Sequence, residues 1–533
     1  MKQIKFIGLA ILLGGVGVFS SALFIPSFEL SEVGYEEAFE GYNDDNRSRY
    51  MAFSEAILSQ TEGKTYPSVF AFSADVRGAL AKRNEVLKGE EKWDEVIWDK
   101  PHEFASLLAV PAAKGPINES TGLFLFLTFG LAIIGGVMFI LPDVILQGKP
   151  GIKNDHIFHH PATNRGWIGW VVFAWLVSFY VLLYFFPDYV IGWSMITDPV
   201  SMLLKNAPGG RWFLYGTLYC TVMTVMAIRM FVKYRGNRYQ IFRTSSVLFF
   251  QICFAFLIPE IMTRFGAPGV DLKEIWPLDY DFFFDWNLRS KLEYGTLGIF
   301  LLVWGLLLIV VGVPVMVYFF GKRWYCSWVC GCGGLAETLG DPYRQLSDKS
   351  IKSWKIERYL IHGVLVFAVF MTGMTLFTYF SGVTEIASIS TNDIQGTYKF
   401  MIGSVFAGVI GTGFYPAMGS RVWCRFGCPL AAYLGFVQRF KSRFRITTNG
   451  GQCISCGNCS TYCEMGIDVR WYAQRGQNIV RSSCVGCGIC SAVCPRGVLN
   501  LENGPEEDRI NENPILIGKE GIQLSLNVTS QKG

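Results

Sequence analysis

Two stretches near the C-terminus decide how the chain is read: Cys453-Ile-Ser-Cys456-Gly-Asn-Cys459-Ser-Thr-Tyr-Cys463 and Cys484-Val-Gly-Cys487-Gly-Ile-Cys490-Ser-Ala-Val-Cys494-Pro495. Both carry the x2-x2-x3 rhythm that binds 4Fe-4S cubanes. Three thiolates on one tight loop hold three irons, and the fourth cysteine of each run reaches the other cluster. The expected sets are Cys453, Cys456, Cys459 and Cys494 for one cluster, and Cys484, Cys487, Cys490 and Cys463 for the other. Pro495 ends the second run, whereas Glu464 stands in that place in the first. Zinc needs only four ligands and has no use for a rhythm given twice. Disulfides belong to a small secreted chain, not to cysteines in metal-type spacings.

The chain has 533 residues, 51% hydrophobic and 17% charged, with a mean hydropathy of +0.31. So low a charged fraction is unusual for a soluble protein. Clusters need thiolates kept reduced, which puts the C-terminal segment in the cytoplasm. A net charge of +4 gives no reason to expect a nucleic-acid partner.

A bilayer crossing takes roughly 20 apolar residues. Eight stretches qualify: Ile4–Phe24, Thr121–Val144, Gly166–Tyr189, Arg211–Val232, Ser245–Phe265, Gly295–Phe320, Tyr359–Ser381 and the Gly- and Ala-rich Phe400–Gly419. With all eight crossing, the basic loops fall on one side. They hold Lys149, Lys153 and Arg165; Lys233 to Arg243; Lys322 to Arg358; and Arg421 to Arg445. The positive-inside rule makes that side the cytoplasm. Loops on the other side are richer in aromatics and acids, as in Asp279–Trp286. The first span is expected to be an uncleaved anchor, being long for the apolar core of a signal peptide.

The predicted fold is a polytopic all-α membrane protein of about eight helices with a C-terminal α+β domain. Its parts are an anchor or signal (1–25), an extracytoplasmic segment (26–118), a helical membrane domain (119–420), a basic juxtamembrane linker (421–445), a double-cluster domain (446–505) and a tail (506–533). The extracytoplasmic segment lacks cysteine, so it carries neither cluster nor covalent haem, and reads as a small helical cap or docking surface.

Two further cysteine motifs follow the sixth and eighth spans, Cys326-Ser-Trp-Val-Cys330-Gly-Cys332 and Cys424-Arg-Phe-Gly-Cys428-Pro429. Each sits at a span end after basic residues, as a weak internal repeat. Thiols from two such loops suit one shared metal centre, ranked first as a third iron–sulfur centre and second as a redox dithiol or copper site. Arg323, Arg421 and Arg425 are expected to lower the thiol pKa values.

Paired Cys-x3-Cys motifs followed by a double cysteine run resemble the membrane-bound polyferredoxin family, with its NosR-type, NapH-type and FixG/CcoG-type members. The C-terminal domain resembles the bacterial two-cluster ferredoxin type. The likeness spans roughly Gly295 to Leu501; Cys424 to Pro429 fits the family's Cys-x3-Cys-Pro, while Gly331 replaces the proline of the first copy. The resemblance implies electron transfer at the bacterial inner membrane, with the ferredoxin domain cytoplasmic, between a redox partner subunit and a cytoplasmic or quinone donor or acceptor. Its alternative is cupric reduction or oxidase assembly of the FixG/CcoG type. A redox-sensing regulator would need an output domain, and no sequence resembles one.

Other residues carry less. His362 is the one histidine inside a span, too few for a membrane haem. His156, His159 and His160 read as a solvated or helix-end cluster, and Cys220 and Cys253 as apolar packing. Glu260 is a carboxyl within an apolar stretch, either at the water interface or a proton acceptor from quinol. The basic run Arg439–Arg445 is expected to lie on the membrane surface.

Overall fold

The computed structural model describes residues 2–40, 42, 44–93, 95–97, 101–146, 150–151, 160–383, 385–386, 389–440, 442–504, 516–518 and 521–523. His156, His159, Lys149, Lys153, Lys441 and most of the C-terminal tail lie outside them. Among the described residues seven helices are long and apolar enough to cross a membrane: Lys2–Ser21, Thr121–Leu146, Trp167–Phe185, Arg211–Lys233, Arg238–Arg264, Gly295–Phe320 and Ile351–Ser381. Side chains such as Phe6, Val310, Val366 and Phe370 are exposed on them. That outward apolar surface suits lipid as the solvent.

The expected eighth span, Phe400–Gly419, is not among the seven. The segment is helical over Thr391–Tyr398, continues in widened π-type turns over Lys399–Ile410, and ends at Gly411–Gly413. Its first two turns are polar, and Gly, Ser and Thr dilute the rest.

The chain forms two compact units. The first comprises Met1–Asp143, Ser178–Val225 and Thr263–Phe265. Here the N-terminal helix packs closely on the second. A Cβ on Gly135 would lie 2.4 Å from the Leu12 nitrogen, so only glycine admits this approach. The segment after the first span folds into helices Glu32–Glu37, Asp44–Met51, Ser54–Thr61, Val69–Gly89 and Pro101–Ala112. They enclose Phe28, Tyr35, Phe39, Phe53, Phe72 and Phe104. Strands Ser27–Phe28 and Ala113–Lys114 pair antiparallel where the segment enters and leaves. Buried Asp188 accepts from His102 Nδ1 at 2.9 Å and fixes this cap to the turn after the third span.

The second unit comprises Val144–Val177, Met226–Met262 and Gly266–Gly533. Ser350 caps the seventh span by accepting from Ser353 N at 3.2 Å, and Gly382, in the left-handed region, ends it. The stretch containing Asp279–Trp286 does not remain a surface loop. Ile275 is buried in one core with Ile309, Val313 and Cys326. Trp276 Nε1 donates to Thr372 Oγ1 at 2.9 Å, and the Tyr325 hydroxyl donates to Lys273 O at 3.0 Å. Aromatic side chains drive this segment against the sixth and seventh spans despite its acids.

The C-terminal domain is framed by strands β1 (Phe444–Thr448) and β2 (Leu499–Asn503), paired antiparallel from Phe444↔Asn503 to Thr448↔Leu499. Between them the cysteine runs make two similar turns. Left-handed residues recur at matching places, Ser455 and Gly457 in the first turn, Gly486 and Gly488 in the second. Short helices Asn458–Thr461 and Ile489–Ala492 follow. Arg445 does not reach a membrane surface: it is buried in β1 and donates to Gly504 O at 2.9 Å.

Candidate metal centre

The turns bring the crossed cysteine sets together. Cys453, Cys456, Cys459 and Cys494 line one small cavity, with Pro495 in its wall. Cys463, Cys484, Cys487 and Cys490 line a second. Among the described residues no group of three or more His, Cys, Asp or Glu is set to hold a single metal ion. The four thiols instead line the wall of a hollow. Backbone amides turn toward the sulfurs: Ile467 N donates to Cys463 Sγ and Val498 N to Cys494 Sγ, each at 3.4 Å. Such N–H···S bonds stabilise anionic sulfur and tune a cluster's potential.

The two hollows differ in exposure. Cys456 is exposed and Cys453 half-buried, whereas Cys484 and Cys490 are buried. Carbonyls of the second turn are capped from the helical part of the same unit. Ser327 Oγ donates to Val485 O at 2.7 Å, the Tyr239 hydroxyl to Gly486 O at 2.7 Å and Gln240 Nε2 to Cys487 O at 2.9 Å. Arg243 also donates to Cys487 O.

The upstream motifs meet beside this turn. Cys326, Cys330, Cys424 and Cys428 are buried in one core with Cys484 and Cys490, and Cys332 packs against it. Gly333 makes this possible, since a Cβ there would lie 2.1 Å from Cys326 O. Arg421 Nη1 donates to Cys326 O at 3.2 Å and to Cys424 Sγ at 3.7 Å, joining the two loops. Ala431 N donates to Cys428 Sγ at 3.4 Å.

The electrostatics differ from the sequence expectation. Burial pushes the Cys326 thiol up to about 12 despite Lys322 and Arg421. Burial also raises Cys424, with Arg421 only partly offsetting it. Cys330 alone is drawn down, to about 6, chiefly because the Cys332 thiol donates to it. Arg323 faces the Tyr239, Trp328 and Phe444 rings, and Arg425 pairs with Glu357 at 2.7 Å. Neither guanidinium is hydrogen-bonded to an upstream thiol among the contacts of the described residues.

Sequence reasoning missed the role of Glu464. Its side chain is fully buried. It forms ion pairs with Arg344 and, at 2.9 Å, with Arg421. Burial works to raise its pKa, yet Arg344, Arg421 and Arg243 outweigh it and hold the carboxyl at about 2. The residue that breaks the motif thus anchors the first cysteine run to the arginine joining the upstream loops. Its only signal in sequence was the missing proline.

The remaining candidates lie elsewhere. Cys220 and Cys253 sit half-buried inside their helices. Glu260 is in the last turns of the fifth span, half-buried. His160 accepts through its carbonyl from Thr163 N at 2.9 Å.

Two domain classes match this part of the chain. Residues 424–507 match a 4Fe-4S dicluster domain, and residues 302–350 with 400–447 match a 4Fe-4S binding domain. The chain therefore carries 4Fe-4S ferredoxin-type domains. It is 28% identical over 160 residues, 28% of this chain and 43% of the relative, to YccM of Escherichia coli (strain K12), whose name assigns it provisionally to electron transport. It is 25% identical over 149 residues, 27% of this chain and 50% of the relative, to MauN of Methylobacillus flagellatus, named a methylamine utilization ferredoxin-type protein. The chain spans half or less of the length of these relatives. No solved structure matches it.

Proposed function

We propose that this chain is a membrane-embedded electron conduit of the polyferredoxin kind, with three iron–sulfur centres on the cytoplasmic side of a bacterial inner membrane. The observation that carries the reading is the continuous buried core holding the inner C-terminal cysteines and both upstream motifs. The outer set is Cys453, Cys456, Cys459 and Cys494, and the inner set is Cys484, Cys487, Cys490 and Cys463. The third centre takes Cys326, Cys330, Cys424 and Cys428, with Cys332 as a thiol donor to Cys330. Clusters bound there would supply one-electron steps. The residues themselves fix order and access. Exposed Cys456 marks the side where a soluble redox partner docks, and the buried upstream loops mark the side nearest the membrane. The same 4Fe-4S binding domain description matches residues 302–350 and residues 400–447, one upstream loop in each, which supports a cluster at these loops.

The glycine-rich helix Thr391–Gly413 is the eighth crossing in this reading. The seventh span starts beside the cysteine loops, where Glu357 pairs with Arg425. Its 31 residues carry the chain about 46 Å away. Val422 lies back beside those loops, so the chain returns through the same thickness. Eight crossings put the basic loops on one side, as the positive-inside rule asks.

A membrane quinone or a partner subunit is the expected exchange partner at the membrane side. In inside-out inner-membrane vesicles carrying the protein, a soluble reductant should drive reduction of a quinone analogue. The same vesicles should leave cupric ion unreduced beyond vesicles lacking the protein. Protein-dependent cupric reduction without quinone reduction would favour the assembly-factor alternative and overturn this one.

A further inference from the structure

A further cavity, of about 250 Å3, lies within the second unit beside the upstream loops. Its wall holds Lys322, Arg358, Arg425, Arg439 and Arg481, against the carboxylate of Glu357 and the sulfur of Cys424, a ligand of the proposed third centre. Glu357 is already paired with Arg425 at 2.7 Å. Lys322 spends its ammonium on Ser482 O at 3.2 Å. Arg358, Arg439 and Arg481 have no carboxylate within ion-pair distance among the described residues. Two of these guanidiniums are held over one ring, Arg358 at 5.4 Å and Arg481 at 5.3 Å from the Trp354 centroid. Gathering uncompensated guanidiniums around one hollow costs mutual repulsion, which an anion relieves. Planar guanidinium forks match phosphate oxygens.

The level of the cavity points to the source of that phosphate. Its wall includes Ile361 and His362, where the seventh span turns continuously apolar. Tyr359, Phe436 and Phe440, next in sequence to lining residues, are exposed. Guanidiniums at the headgroup level beside exposed aromatics form the kind of basic interfacial pocket that holds acidic lipids. We propose that this cavity binds the phosphate of an anionic phospholipid.

The test uses the full chain purified with its clusters in detergent, probed with phosphatidylglycerol, phosphatidylcholine and inorganic phosphate. Binding is read by native mass spectrometry and by the shift in unfolding temperature. Phosphatidylglycerol should bind about tenfold tighter than phosphatidylcholine or inorganic phosphate, and the triple variant Arg358→Gln, Arg439→Gln, Arg481→Gln should lose that preference. Should the triple variant fail to fold, Arg439→Gln alone, at an exposed side chain, should weaken phosphatidylglycerol binding about fivefold. Lys355→Gln, the same charge change on the helix that carries Arg358 but outside the cavity, should leave binding unaltered. Equal binding of the two lipids, or an Arg439→Gln effect no larger than that of Lys355→Gln, would overturn the proposal. Inorganic phosphate binding as tightly as phosphatidylglycerol would assign the cavity to a free anion and overturn the lipid source.

Discussion

Glu464→Gln is expected to loosen the C-terminal cluster domain from the upstream cysteine loops and to cost about 3–5 kcal/mol of stability, the usual consequence of removing one partner from a buried ion pair. Arg344 and Arg421 are both fully buried, so the substitution leaves guanidinium charge without its counter-charge and without water. Arg344 keeps Asp341 at 2.8 Å, but Arg421 is left with only the Cys326 carbonyl and the Cys424 sulfur. Glu464→Pro is the sharper variant. It restores the residue that the cysteine motif usually carries, and a purely motif-based view makes it neutral or favourable. Loss of the carboxylate makes it at least as destabilising as Glu464→Gln. Chemical unfolding followed by cluster absorbance checks both. Unfolding of either variant at the wild-type midpoint would show that the ion pairs do not fasten the domain.

Removal of the third centre should be equally visible. Cys424→Ser with Cys428→Ser should lower iron from about twelve to about eight atoms per chain, the difference between three cubanes and two. The C-terminal pair should survive, because neither of its cysteine sets includes a residue from the upstream loops. Cys332→Ala should behave differently. It removes the thiol donor to Cys330 but no ligand, so iron stays near about twelve while the potential of one centre shifts. An unchanged iron count in the double variant would mean that the upstream cysteines hold no cluster.

Much of this site was legible because cysteine spacing encodes local geometry. The x2-x2-x3 rhythm dictates a tight turn, and a matching pair of turns follows from two such runs. The meeting of Cys326 and Cys330 with Cys424 and Cys428 was legible from their matching places at span ends. What escaped depends on partners remote in sequence. Arg344 and Arg421 had no local mark distinguishing them from other basic residues of the juxtamembrane loops. Arg445 looked like one more cation in a basic run, yet strand pairing buries it. The acidic stretch around Asp279 gave no hint that Trp276 and Ile275 would carry it against the spans. The segment Phe400–Gly419 reads as a span, and the structure starts its helix earlier, in the polar turn Thr391–Tyr398, so that it is not among the seven most apolar long helices of the described residues.

The most direct test of the central claim is low-temperature electron paramagnetic resonance of anaerobically purified full-length protein, titrated with a strong reductant while iron and sulfide are counted. The account predicts brown protein with about twelve irons per chain and, on full reduction, the broadened spectrum of magnetically interacting cubanes in the C-terminal domain. Colourless, iron-free protein that stays silent on reduction would contradict it.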